Sequence, residues 1–411
     1  MINNFSLQDN LFVEFLLPDE DGNSFILGIS TLGGDDVLGG YGEFVIGTSL
    51  IGGDDVLAPS SGLKWQDVGC EVSNAVISIG GSINDAIYFQ PQPATANLTL
   101  QSFELDPTVN KNIRSNTKIR VRLDSEEIDR VLFVGYIDTI DVTYYPMGPN
   151  LIRITAYDIY KSLVNLRIAD WDTTSLPAGY ATTDEVFELV ALETGVGLSS
   201  NSLPTVGRIP AVQIDNVLVP DVLNDAIDVG LAVVWIDQET EELTVIPRPT
   251  SSEGSSTTYV IGNDHSSDPY HLCLAEINVA SDADAVYNSL KVALSSDDTT
   301  FVFRKDQDSI DLYGESAIDV AINTTDATEL ARWASAVYIQ APTKLVSQVV
   351  TPAKDRLGDL TAAAVFTPGT LVGVSYTTNQ LDIVGYYTVI RVSHEIDVNN
   401  WFTTLELWKE A

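Results

Sequence analysis

The strongest constraint on the fold is a two-residue alternation of apolar and polar side chains that recurs in short stretches along most of the chain. Val, Ile, Thr, Tyr and Phe alternate with polar residues over Ile119–Leu123, Leu132–Val142, Leu151–Ala156 and Thr370–Tyr376, with Gly, Pro, Asn and Asp between the stretches. Successive side chains on an extended backbone point to opposite faces, so each stretch predicts a strand with one buried face. The runs Tyr386–Ile396 and Trp401–Trp408 flank Asp397-Val398-Asn399-Asn400, which predicts a closing hairpin with Ile390, Val392, Leu405 and Leu407 on one alternating face. The class is mainly β.

Three segments carry a helical period instead. Thr182 or Thr183 caps one that runs through Asp184, Val186, Leu189, Val190 and Leu192 to Gly195. Pro220 opens a second through Val222, Leu223, Ala226 and Ile227 to Gly230. A third starts near Thr325, carries Leu330, Trp333, Ala334 and Val337, and stops before Pro342. A few helices thus interrupt a β protein, an α+β arrangement.

The 411 residues are long enough for two to four domains, each with its own core. The Pro-then-Ser stretch Pro247–Thr258 has no apolar run to bury and marks one boundary; a second falls near Lys161–Pro177, where strand patterns give way to helical ones. The expected division is 1–165, β-rich; 166–250, small α/β middle domains; and 251–411, β-rich with one helix and the closing hairpin. No apolar run reaches the roughly 20 residues of a membrane span, and MINNFSLQDNLFVEF lacks the basic start of a secretory signal.

Charge separates the function classes. With 21 Lys+Arg against 58 Asp+Glu the net charge is −37, which makes free nucleic acid a poor partner. The hydrophobic fraction of 45% is too high for a disordered acidic chain, so this is a folded protein with an acidic skin. Such a skin suits solubility in high salt, and equally a surface past which a polyanion slides.

Against that background six basic residues gather in one short stretch: Lys111, Arg114, Lys118, Arg120, Arg122 and Arg130. They read either as an interface to an acidic neighbour, another copy or the next ring of an assembly, or as partners for Asp124, Glu126, Glu127 and Asp129 on the same hairpin. Both readings stand at this point.

No other pattern points to a reaction. Cys70 and Cys273 have no zinc or CxxC spacing, and His265, His271 and His394 are scattered, without a nucleophile motif. Phe25–Leu38 and Phe44–Leu57 form a duplication, each copy carrying GGDDVL. GGDDVL resembles half of a calcium-binding β-roll repeat, but two copies at an offset of 19 residues do not stack on a nine-residue period, so both are read as turns and no metal ligand is assigned. A surface calcium-binding β protein and a carbohydrate-active β protein are the rival readings. The first would gain thermal stability from calcium; the second calls for exposed aromatics beside paired acids.

Four stretches resemble the hub or tip proteins of long-tailed viruses, often described as minor tail proteins and related to the trimeric baseplate hub. Trp65-Gln66-Asp67-Val68, Ala94–Leu100 and Leu105-Asp106-Pro107 are similar to the opening β-domain. Leu132–Ile137, followed by Ile154-Thr155-Ala156-Tyr157-Asp158, is similar to the next strand pair, and Leu223–Ala232 with Trp235-Ile236-Asp237 and Leu243-Thr244-Val245 to a helix and two-strand unit. Tyr287–Val292, Ser309–Gly314, the third helix and the hairpin resemble the last hub β-domain. The Phe25–Pro59 duplication has no counterpart.

The resemblance implies a non-enzymatic virion component at the distal end of the tail. Its β-barrel or sandwich, tube-like domains, with smaller α/β inserts, would close as a homotrimer between the tail tube and the tip or receptor-binding proteins. Genomic DNA would be passing cargo, and no cofactor is implied.

Overall fold

A computed structural model describes residues 11–18, 63–67, 71–84, 88–103, 105–107, 112–124, 129–174, 179–199, 203, 207–248, 259–263, 268, 270–280, 287–325, 327–336, 345–353, 365–379, 382–398 and 400–409. The Phe25–Pro59 duplication, Cys70, His265, Lys111 and the 249–258 part of the expected link lie outside these residues.

The first part is all strand: β1 (Leu11–Pro18), β2 (Leu63–Asp67), β3 (Glu71–Asn84), β4 (Tyr88–Ser102), β5 (Lys118–Asp124), β6 (Asp129–Thr143) and β7 (Asn150–Tyr157). The middle is mixed: α1 (Tyr160–Asn165), β8 (Arg167–Asp172), β9 (Tyr180–Thr182), α2 (Thr183–Thr194), β10 (Leu198–Ser199), β11 (Arg208–Pro210), β12 (Gln213–Leu218), α3 (Val219–Gly230), β13 (Ala232–Ile236) and β14 (Leu243–Pro247). The last part holds β15 (Val260–Gly262), β16 (His271–Cys273), β17 (Glu276–Ala280), β18 (Ser289–Leu294), β19 (Asp297–Lys305), α4 (Gln307–Tyr313), β20 (Ala317–Ile322), α5 (Ala327–Ala336), β21 (Leu345–Pro352), β22 (Leu371–Thr377), β23 (Asp382–Asp397) and β24 (Trp401–Lys409).

Fourteen strands form one sheet, ordered β16-β15-β22-β23-β3-β4-β7-β6-β5-β1-β2, with β24 branching from β23 to carry β21 and β17. Among the described strands of this sheet, only the pairs of β15 with β16 and β22 are parallel. The first and last parts therefore share one sheet, joined where β3 pairs antiparallel with β23 and Ser78 Oγ lies 2.9 Å from Ser393 Oγ. Among the described residues four smaller sheets stand beside it: β10-β14-β13, β11-β9, β12-β8 and β19-β18-β20. The fold is mainly β, with few helices and mixed sheets, as the alternation predicts.

Three apolar cores hold it. One fills the middle part and reaches α5 and β18; one lies within the N-terminal strands; one lies under β22 and the closing hairpin. The last two strands feed all three. Ile390 and Trp408 enter the first, Ile396 and Trp401 the second, and Val392, Leu405 and Leu407 the third.

The single buried face expected for the hairpin is thereby corrected. A register shift between Val389 and Arg391 inserts one residue into β23, so Ile390 turns away from Val392 into a different core. The strand facing this bulge has its own irregularity at Ser78/Gly80, and Gly80 has φ +126°. A Cβ there would lie 2.2 Å from the Ile390 carbonyl oxygen, so only glycine lets the two backbones approach this closely.

The helices follow their sequence signals. Thr182 precedes α2, the Glu185 carboxylate accepts its backbone N–H at 2.8 Å, and Gly195 ends the helix with φ +69°. Pro220 sits in the first turn of α3. In α5, Leu330, Trp333 and Ala334 are buried, and Trp333 Nε1 donates to the Asp228 carbonyl at 2.8 Å; Val337 and Pro342 lie outside the described residues. Two helices were not expected. α1 spans 6 residues and α4 spans 7, too few to show a period; α4, within the Ser309–Gly314 region, starts where the Asp306 carboxylate accepts the Ser309 N–H at 3.1 Å.

Candidate assembly surface

Strand β5 arranges three of the basic residues. Ile119, Val121 and Leu123 are buried completely, so the intervening Lys118, Arg120 and Arg122 project together from the opposite face. Each finds an acid. Arg120 lies opposite Glu14 on β1 and grips its carboxylate with Nε and Nη2, the latter at 3.1 Å. Lys118 Nζ reaches Glu241 of the β13–β14 turn at 2.6 Å. Arg122 pairs with Asp124 and lies 3.7 Å from Asp129, both on its own hairpin.

Aromatic rings extend the face: the Arg120 guanidinium sits 4.5 Å from the Trp65 ring centre, and Lys118 Nζ 5.8 Å from that of Tyr136. These partners occupy the cations only in part, because the three basic side chains stay about a quarter exposed. Arg114 stands apart, exposed on the loop before β5, and makes no ion pair with a described residue.

Arg130, at the start of β6, faces elsewhere. It lines a pocket of about 270 Å³ where the N-terminal strands meet the β13–β14 turn and the closing hairpin, beside Asp237, Glu239 and His394. Burial pulls its guanidinium below the ordinary value, while the Glu239 and Asp237 charges pull the other way. Burial, with the Arg130 charge behind it, pushes the His394 imidazole down to about 3, so it is neutral at pH 7. His394 stands edge-on to Trp401, with Nδ1 3.2 Å from Thr403 Oγ1.

Gln238, also buried, ties this junction together. Its Oε1 accepts the Val134 N–H and its Nε2 donates to the Ile236 carbonyl, both at 2.8 Å. Next to it Asp158 accepts the Tyr160 N–H at 3.1 Å, and burial pushes its carboxyl up to about 7 against these hydrogen bonds. Among the described residues, no three His, Cys, Asp or Glu side chains gather as a metal site.

Sequence reasoning missed the apolar tip between β6 and β7. Met147 is fully exposed and Tyr144 and Tyr145 about half; Phe103, just after β4, is 77% exposed. Tyr144 Oη donates to Asp106 at 3.0 Å and fixes the tip against the loop after β4. The run Tyr144-Tyr145-Pro146-Met147-Gly148-Pro149 between two strands was the available signal, since turns seldom spend aromatics and Met on solvent.

No protein-family model matches the sequence, and no curated protein does. Solved structures match its fold. A tail protein from Neisseria meningitidis MC58 superimposes with a TM-score of 0.57 at 12% identity, over 84% of this chain and 93% of that one. The 43 kDa tail protein of prophage MuSo2 from Shewanella oneidensis gives 0.53 at 10% identity, over 84% and 96%. Prophage tail protein gp18 from Listeria monocytogenes EGD-e gives 0.51 at 11%, over 84% and 91%.

Proposed function

We propose that this chain is a non-enzymatic structural component of a viral tail tip or baseplate, a hub ring that ends the tail tube and connects it to distal tip or receptor-binding proteins. The observation that carries this reading is the likeness in fold to three tail proteins, which takes in 84% of this chain and more than nine-tenths of each of theirs. A shared sheet built from both ends of the sequence argues for one continuous wall rather than beads on a string. In this reading the division at residues 165 and 250 separates tube-like β parts, closed as barrels in the assembly, from the α/β inserts between them.

Three copies close the ring, and their neighbours are tail tube and tip proteins. Among the described strands the sheet path runs from β16 to β2, and a ring in which neighbouring copies pack wall to wall would cover its ends. Arg114, Lys111 and the exposed remainder of the Lys118, Arg120 and Arg122 face meet an acidic surface of that neighbour, while Arg130, assigned to the same interface by sequence, lines the separate pocket beside Asp237 and Glu239. The apolar tip at Tyr144–Pro149 meets an adjoining protein in the same assembly. Asp and Glu dominate the inner wall, where a basic lining would hold DNA phosphates and stall its passage.

The test is the mass of the purified protein across salt concentrations, together with a map of intact particles. A trimer at a three-fold position with an acidic lumen is expected. A monomer under every condition with a six-fold position, or a lumen lined chiefly by Lys and Arg, refutes the reading.

A further inference from the structure

The middle part contains a second pocket, of about 210 Å³, held between the ribbon β8–β12, the ribbon β9–β11 and helix α3. Its walls are apolar: Trp171 from β8, Ile209 from β11, Val217 from β12 and Val222 from α3. One rim is different. Asp221 and Asp225, one turn apart on α3, both line it, and Asn323 after β20 donates to Asp225 Oδ2 at 2.9 Å. Neither carboxylate has a salt-bridge partner among the described residues, and Asn323 adds a hydrogen bond but no charge.

Three kinds of occupant can be compared on this chemistry. A purely apolar group would fit the walls and leave two neighbouring carboxylates unneutralised beside a dry surface. An anion would be repelled. An amphipathic cation satisfies both halves at once, with an alkyl stem on Trp171, Ile209, Val217 and Val222 and a guanidinium or ammonium head on Asp221 and Asp225. The volume exceeds the roughly 150 Å³ that suffices for a benzene ring, so it takes one long side chain and not a folded segment.

We propose that this pocket receives a single Arg or Lys side chain from an adjoining protein. The net charge of −37 supports a basic partner, because a neighbour that docks here must supply cations. Burial pushes the Asp225 carboxyl up against the Asn323 hydrogen bond, with the Asp221 charge adding to the rise, and a cation beside it favours the ionised form. The binding is a property of the isolated chain, so its test succeeds or fails independently of the ring assembly proposed above.

The experiment titrates the full chain with n-butylguanidinium, n-butylammonium, n-pentanol and butyrate, and follows the indole N–H signal of Trp171, assigned by Trp171→Phe. The two cations are expected to saturate in the millimolar range, pentanol to bind more weakly and butyrate not at all. The double variant Asp221→Asn/Asp225→Asn is expected to weaken the cations by about tenfold or more and leave pentanol unchanged, while Val217→Phe fills the pocket and removes all binding. If the double variant does not fold, Asp221→Asn alone, at an exposed position, carries the charge test.

Pentanol binding as tightly as the cations, unimpaired cation binding in the Asn variants, or no saturable shift overturns the proposal. In maps of assembled particles a basic side chain of another protein should occupy the pocket. A free alkylamine there would overturn that assignment of its source.

Discussion

Replacing Gly80 by Ala separates two costs that are combined at the seam between β3 and β23. The backbone there has φ +126°, a conformation that costs a residue with a Cβ on the order of 1–3 kcal/mol. The added methyl would also meet the Ile390 carbonyl oxygen at 2.2 Å and the Arg391 Cα at 2.9 Å. Both are backbone atoms, so the strands must part, and overpacking of this kind costs a further ~1–3 kcal/mol.

Gly195 is the control: its φ of +69° is also positive, but nothing lies within 4 Å of its ideal Cβ. Gly195→Ala should cost only the conformational part, about 1–2 kcal/mol. Urea denaturation followed by tryptophan fluorescence measures both, with Gly80→Ala expected to lose ~2–6 kcal/mol and to exceed Gly195→Ala. A Gly80→Ala protein within about 0.5 kcal/mol of the parent would refute the claim that this approach is sterically fixed.

Further outcomes follow from the same structure. Asp158, pushed up to about 7 in the fold, binds a proton between pH 4 and 7 that the unfolded chain releases, so its contribution to stability is full below about pH 4 and is lost as pH rises through 7; Asp158→Asn should remove that slope, on the order of 4 kcal/mol, from urea midpoints measured across the range. Deleting the chain from Asp397 onward removes β24, which pairs with both β21 and β23, and should abolish soluble expression, whereas a folded truncation would make the hairpin peripheral. Glu241→Gln, which breaks a partly exposed ion pair with Lys118, should shift stability by no more than ~1 kcal/mol; a loss of several would mean that this contact holds the middle part to the N-terminal strands.

The parts of the fold legible in the sequence are those governed by local rules. Ile119, Val121 and Leu123 alternate with Lys118, Arg120 and Arg122, so strand and buried face were both readable; Thr182, Glu185 and Gly195 mark the ends of α2. The closing hairpin was legible, yet the face of Ile390 was not, because a bulge is set by the partner strand that presses on it. Which acid each cation meets was equally hidden: Glu14 and Glu241 come from 106 and 123 residues away, beyond any hairpin arithmetic. The amphipathic pocket was invisible for the same reason, since Trp171, Ile209 and Asp225 converge only after two ribbons fold over one helix.

The seam between β3 and β23 also sets a clock. Ser78 and Ser393 are 315 residues apart, so at ribosomal rates of about 5–20 residues per second the first strand waits roughly 15–60 s for its partner to be made. Among the described strands β3 pairs only with β4 and β23, so until β23 is made no described strand pairs with that edge. Gly80 and Gly81 lie on that waiting edge, and two consecutive glycines weaken a strand's hold on a stray partner. A chain that stops before residue 382 therefore lacks the strand that joins the first and last parts of this sheet.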